Sequence, residues 1–382
     1  MDLKGRLHEL EDEHLLRTLK YFEPLDAVRL RYNGRVVLNF SSNDYLGLSK
    51  DARVIAAAEK ALRNSGIGTG ASRLVSGSFT VHRELEERLA RFKSKEGAVV
   101  FPTGYMANVG IVTALFGERD CLFIDKLSHA SIIDACTMSG ADTRVFPHKN
   151  YERLDEMLSK ATGYEQRCII TDSVFSMDGD VADLRRLVQI KREHGAMLMI
   201  DEAHATGVFG TYGRGLAEEQ GVEEDIDICM GTLSKALGGL GGFIVGTQTL
   251  IEYVHNKARS FIYTTSLPAP IAAALVRAID IVEEDIGLRQ KLWNNVAIAR
   301  AFIKDELCRD DEIASPIIPI IVGDAEQALA LSGSMLEHGF YMPAVRYPTV
   351  AKNKARLRIS LSAAHSADDI IRMLTVLKKE IG

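Results

Sequence analysis

Met197-Leu198-Met199-Ile200-Asp201 is the stretch that decides the fold. Four consecutive apolar residues without alternation read as a strand covered on both faces, and a carboxylate closes the run. Five similar runs flank it, at 98–101, 121–124, 168–170, 226–230 and 243–245. Helical patterns fall between many of them, as over 184–194. This alternation predicts an α/β domain with a largely parallel sheet. Ligands of such sheets gather beyond the carboxyl ends of the strands. Asp201 therefore stands where a site is expected.

The rest of the 382 residues arranges itself around that core. Residues 1–45 read as an N-terminal helix and arm, with Leu7, Leu10, Leu15, Leu16 and Leu19 marking a helical stripe over 5–20. A large α/β domain covers 46–285. Residues 286–382 form a connecting helix and a smaller α+β domain, with strands at 317–322 and 357–361 and a last helix over 366–379. Long helical stretches at 268–285 and 287–307 precede that domain.

Composition excludes several classes. The formal net charge is −6, which disfavours a broad basic surface for nucleic acid. No apolar run approaches the ~20 residues of a membrane helix. Residues 1–20 are charged throughout and lack the apolar core of a signal peptide, so a cytoplasmic location is expected. Cys121, Cys136, Cys168, Cys229 and Cys308 show no metal-ligand spacing and read as buried free thiols in a reducing compartment. No metal is expected.

Three features point to one cofactor site. Asp201, at a strand end, can pair with a pyridinium nitrogen and keep it protonated. Lys235, in Gly231-Thr232-Leu233-Ser234-Lys235-Ala236-Leu237-Gly238-Gly239, lies in a turn of small residues and can form a Schiff base with an aldehyde cofactor. Pro102-Thr103-Gly104-Tyr105-Met106-Ala107-Asn108 joins a strand to a helix, whose N-terminus offers N–H groups to a phosphate. Each has an ordinary explanation when taken alone: a capping aspartate, a solvated lysine, a helix start. Their order along one sheet is what binds them into a site.

The chain also resembles a known family. Ser128-His129-Ala130-Ser131, Ser176-Met177-Asp178-Gly179-Asp180, Asp201-Glu202-Ala203-His204-Ala205-Thr206-Gly207 and Thr232-Leu233-Ser234-Lys235 are similar to motifs of the α-oxoamine synthases, fold-type I pyridoxal-phosphate transferases. Four further stretches resemble the biotin-pathway branch: Asn39-Phe40-Ser41-Ser42-Asn43-Asp44-Tyr45-Leu46-Gly47-Leu48, Gly66-Ile67-Gly68-Thr69-Gly70, Arg346-Tyr347-Pro348-Thr349-Val350 and Ala355-Arg356-Leu357-Arg358-Ile359-Ser360-Leu361. The resemblance implies pyridoxal 5'-phosphate as cofactor. It also implies decarboxylative condensation of L-alanine with pimeloyl-CoA, or a pimeloyl carrier protein, giving 8-amino-7-oxononanoate. A homodimer with shared active sites is implied as well.

The resemblance assigns roles residue by residue. Lys235 holds the cofactor, Asp201 meets the ring nitrogen, His129 stacks on the ring and His204 bonds its hydroxyl. Ser176, Thr232 and the Gly104–Tyr105 backbone help bind cofactor and phosphate, and Thr265 reaches the phosphate of a neighbouring subunit. Arg346 anchors the alanine carboxylate, and Asn43, His129 and Thr349 join it around the substrate. Arg17, on the N-terminal helix, meets the far end of the acyl chain. Arg358 reads either as a second anchor or as a solvent-facing strand residue.

Two departures stand out. Ser234 replaces a frequent glycine before the lysine, and Tyr347 stands where close relatives often have proline. Gly66-Ile67-Gly68-Thr69-Gly70 resembles a dinucleotide fingerprint, but it follows a helix and has Ala71 in place of the final glycine, so a turn or substrate loop is the better reading. Two rival enzymes remain: a sister synthase using glycine or serine with another acyl-CoA, and an aminotransferase. A non-catalytic scaffold subunit is a third rival, and the pairing of Lys235 with Asp201 speaks against it.

Overall fold

The computed structural model describes residues 1–307 and 313–382, and Cys308 lies outside the described residues. The chain divides into two compact units. One comprises Leu48–Ser176 and Val181–Arg289; the other comprises Met1–Gly47, Met177–Asp180 and Gln290–Gly382.

The first unit is built on a seven-stranded sheet. Its strands are β1 (Gly97–Phe101), β2 (Cys121–Asp125), β3 (Asp142–Phe146), β4 (Arg167–Asp172), β5 (Met197–Asp201), β6 (Ile228–Thr232) and β7 (Gly242–Gly246). The spatial order is β1-β7-β6-β5-β4-β2-β3. β7 runs antiparallel to both neighbours, and all other pairings are parallel. The six apolar runs of the sequence each form a strand. β3 is the one the pattern did not announce. It is an edge strand, Asp142-Thr143-Arg144-Val145-Phe146, with only Phe146 buried, so it needed no continuous apolar run.

Helices cover the sheet. The helix Gly104–Leu115 buries Ala107, Ile111 and Val112 in the cluster that holds Val99, Phe101, Met230 and Ile244. Phe101 meets Phe261 edge-on at 5.8 Å. Each large apolar side chain so buried contributes roughly 1.5–3 kcal/mol. Helices Ala269–Glu284 and Ile286–Leu307 occupy the two long helical stretches. Cys121, Cys136, Cys168 and Cys229 are buried free thiols; burial pushes the Cys136 and Cys229 thiols up to about 12.

The second unit holds two small sheets. Glu23–Pro24, Arg29–Tyr32, Arg35–Asn39 and Phe340–Tyr341 form one, in which Phe340 pairs parallel with Leu38. Ile317–Gly323, Ala355–Ser360 and Ala344–Val345 form the other, and the last helix is Ala367–Ile381. The N-terminal helix is shorter than its leucine stripe predicts. It spans Leu3–Asp12 and buries none of its residues. His14, at φ 55°, takes the left-handed conformation that ends a helix, so Leu15, Leu16, Arg17 and Leu19 lie beyond it. Among the described residues, no helix is long and apolar enough to cross a membrane.

Candidate active site

A cavity of about 250 Å³ opens at the carboxyl ends of the parallel strands. Strand termination supplies its acids. Asp201 ends β5 and is 4% exposed. Its Oδ1 accepts from the Ala203 N–H at 2.8 Å, and its Oδ2 accepts from Asn108 Nδ2 at 2.9 Å. Asp172 ends β4, lines the same cavity and accepts the His129 backbone N–H at 3.0 Å.

His129 caps the helix Ala130–Ser139, its Nδ1 accepting the Ser131 N–H at 3.2 Å. Burial holds its imidazole below the usual histidine range; the charge of Lys235 adds to this and that of Asp201 opposes it. The ring is therefore neutral near neutral pH, apt for stacking on an aromatic face. His204 is buried and lines the same cavity, two residues after the buried Glu202. Glu202 Oε1 accepts the Ala217 N–H at 2.9 Å, and Oε2 takes Lys93 Nζ at 2.5 Å in a buried ion pair. These bonds anchor Glu202, which lies between Asp201 and His204 in the chain.

The other end of the cavity is shaped by small residues. Thr103 caps the helix Gly104–Leu115, its Oγ1 accepting the Met106 N–H at 3.1 Å. The N–H groups of Gly104 and Tyr105 fall outside the helix's own ladder, where an anion is favoured. A Cβ on Gly104 would lie 3.1 Å from Met230 Cε, and one on Gly242 would lie 2.5 Å from Gly104 Cα. Only glycines permit this approach of backbone to backbone. Thr232 ends β6, and its hydroxyl meets Ser234 Oγ at 2.8 Å. Lys235 follows, half-buried, in a turn closed by the Gly238 N–H on its carbonyl at 2.8 Å.

The cavity thus brings together Gly104, Tyr105, His129, Asp201, His204, Thr232 and Lys235, all singled out in the sequence. Ser176 and Thr265 are not among its lining residues; Thr265 is exposed and bridges to Ser72. Sequence reasoning did not single out Asn108, Ser131 and Asp172. Asp172 carried a readable signal, since it closes the apolar run 168–170 much as Asp201 closes its own.

The remaining substrate candidates belong to the second unit. Arg346 donates to the carbonyls of His14 and, at 3.3 Å, Leu16. Burial lowers its pKa, with the charge of Arg17 adding to the effect. Arg17 donates to the Tyr347 carbonyl at 3.3 Å from an extended segment, so its expected place on a helix is corrected. Asn43 Oδ1 accepts from Arg358 Nη1 at 3.1 Å. Arg358 is 7% exposed, which overturns its solvent-facing reading. Thr349 lies in the turn after Arg346, its N–H on the Arg346 carbonyl at 3.0 Å. The glycine loop at 66–70 follows the helix Ala52–Ser65, as expected of a turn and not of a dinucleotide strand-turn.

Comparison with known proteins agrees with this architecture. The family model "Aminotransferase class I and II" matches residues 35–377. An 8-amino-7-oxononanoate synthase from Geobacter sulfurreducens is 43% identical, covering 100% of this chain and 98% of its own. 8-amino-7-oxononanoate synthase 1 from Bacillus subtilis is 38% identical over 99% and 96%. Among solved structures, a serine palmitoyltransferase from S. paucimobilis superimposes with a TM-score of 0.94 at 33% identity, covering 99% of this chain and 96% of its own. An 8-amino-7-oxononanoate synthase from Francisella tularensis gives 0.77 at 30% identity over 90% and 98%. The chain belongs to the aminotransferase class I and II family and, within it, to the α-oxoamine synthases.

Proposed function

We propose that this protein is a pyridoxal-phosphate acyltransferase that condenses L-alanine with a pimeloyl thioester, releasing carbon dioxide and the free thiol to give 8-amino-7-oxononanoate for biotin synthesis. One observation carries the reading. Asp201 and Lys235 line a single cavity with a glycine-built helix N-terminus, in a chain that matches named 8-amino-7-oxononanoate synthases along its whole length. The residues fit the cofactor. A strand-end carboxylate, a lysine and an anion-accepting backbone turn surround a space without a Cβ at Gly104 or Gly242.

When bound, pyridoxal phosphate supplies a sink for the negative charge that develops at the amino acid's Cα. The protein does the rest. Lys235 would hold the cofactor through its Nζ and would serve as the base for the amino acid's Cα proton. Asp201 would keep the ring nitrogen protonated through direct charge pairing. His129 would cover the ring face and His204 would bond the ring hydroxyl, while Ser176, Thr232 and the Gly104 and Tyr105 N–H groups would help bind the cofactor and its phosphate. Thr265 completes that phosphate site from a second copy in a homodimer. Arg346 is assigned to the alanine carboxylate because a guanidinium matches it bidentately. Asn43 and Thr349 accompany it, and Arg17 is assigned to the distal acyl carboxylate. The acyl donor is pimeloyl-CoA or a pimeloyl carrier protein.

A second reading, a sister synthase acting on serine or glycine, is favoured by one observation: the structural match to serine palmitoyltransferase. Alanine Cα-proton exchange in D2O without acyl donor separates the two. The parent protein should exchange alanine, and Asp201→Asn should slow that exchange sharply. Exchange of serine or glycine in preference to alanine would favour the sister reading.

A further inference from the structure

Asn108 is a buried polar residue inside an otherwise apolar helix, Gly104-Tyr105-Met106-Ala107-Asn108-Val109-Gly110-Ile111-Val112. Asparagine is a poor helix former, and its interior placement needs a reason. Its amide nitrogen makes two bonds, to Asp201 Oδ2 at 2.9 Å and to Ser131 Oγ at 2.9 Å. Its Oδ1 is buried with no partner among the described residues. The opposite amide orientation would set a carbonyl against the Asp201 carboxylate, so the nitrogen must face both groups.

Ser131 passes the constraint on. Its Oγ accepts from Asn108, which leaves its own hydrogen for His129 Nδ1 at 2.7 Å. The Ser131 backbone N–H points to the same Nδ1 at 3.2 Å. Two donors converge on that nitrogen, so the imidazole proton resides on Nε2. The continuous chain is Asp201, Asn108, Ser131, His129. It is tied off by the His129 backbone N–H on Asp172 Oδ2 at 3.0 Å.

We propose that Asn108 and Ser131 are positioning residues that fix Asp201 as a hydrogen-bonded acceptor and His129 as the Nε2–H tautomer, coupling the two groups assigned to the cofactor ring. The inference rests on the functional reading above for those assignments. The tautomer itself is a property of the chain without cofactor. Without the Asn108 donor the Asp201 carboxylate is no longer held in one orientation. An imidazole that loses its donors samples both tautomers.

The test is long-range ¹H–¹⁵N correlation of histidine-labelled cofactor-free protein, with His129 assigned by His129→Gln. The parent should show one tautomer, protonated on Nε2. Asn108→Leu and Ser131→Ala should each show a mixed population. With cofactor restored, Asn108→Leu should slow alanine Cα-proton exchange by about tenfold to a hundredfold, the size of a hydrogen bond to a charged group. Alanine affinity should stay close to the parent's. Parent tautomer mixing, or a parent-like tautomer and exchange rate in both variants, would overturn the proposal. Ser131→Ala removes a single oxygen and keeps the question answerable where Asn108→Leu fails to fold. Because the tautomer is read without cofactor, a wrong functional reading leaves that result standing.

Discussion

Asp172 and Asp201 are register partners on adjacent parallel strands, both at the strand end and both buried. Burial holds the Asp172 carboxyl well above the usual carboxylate range, and the charge of Asp201 pushes it further in the same direction. The native state therefore binds a proton at Asp172 that the unfolded chain has released. This contribution to stability is fully present below the unfolded pKa of about 3.9 and is lost as pH rises toward the raised native value. Asp172→Asn keeps an acceptor for the His129 N–H but does not titrate. Its stability relative to the parent should grow with pH above about 4, by up to ~1.4 kcal/mol per unit. Urea unfolding of the cofactor-free proteins across pH 4–7 checks it. Parallel curves for the two proteins would contradict the assignment.

Lys235→Ala should fold normally and lose the visible absorbance of lysine-bound cofactor. Removing the general base alone costs roughly 10²–10⁴-fold, and losing the covalent hold adds to that. Turnover by the purified variant is the measurement, and near-normal turnover would move the role to another residue.

Gly242→Ala should damage the phosphate end of the cavity. Its Cβ would stand 2.5–2.7 Å from the Gly104 backbone and the Thr103 carbonyl, with no flexible side chain to give way. Overpacking of this kind costs about 1–3 kcal/mol, and cofactor affinity should fall with it. Gly246→Ala is the control on the same strand, because its closest neighbour is the flexible tip of Leu250 at 2.7 Å. Cofactor titration of both variants should separate them. Equal affinities would mean that the Gly104 turn does not carry the phosphate.

Arg17→Ala should shrink any preference for pimeloyl-CoA over heptanoyl-CoA, which differs by the distal carboxylate. An unpaired carboxylate in a pocket is costly, so its partner discriminates more than chain length does. A preference that survives the substitution would place distal recognition elsewhere, for instance on backbone donors.

The sheet was legible because its central strands are covered on both faces and so must be apolar throughout. β3 escaped because an edge strand is freed from that demand, and Asp142 and Val145 are exposed. The N-terminal helix was overextended because a leucine stripe records periodicity, not burial. Leu3, Leu7 and Leu10 stay exposed, and the left-handed turn at His14 cannot be read from a histidine. The site was legible where a residue's position on a strand or turn dictates its exposure to ligand, as for Asp201 and Lys235. Asn108 and Ser131 act through hydrogen bonds between two different helices, and no spacing along the chain records such a meeting.

Decarboxylative condensation of alanine with a pimeloyl thioester releases one thiol and one carbon dioxide per turnover. Its most direct test is product stoichiometry: purified holoenzyme with carboxyl-labelled alanine and pimeloyl-CoA, following thiol, labelled carbon dioxide and the amino ketone by mass. One thiol and one carbon dioxide are expected for each 8-amino-7-oxononanoate, with serine, glycine and long-chain acyl-CoAs used poorly. Thiol release with serine and a long-chain acyl-CoA but not with alanine and pimeloyl-CoA, or amino-group transfer without carbon dioxide, would contradict it.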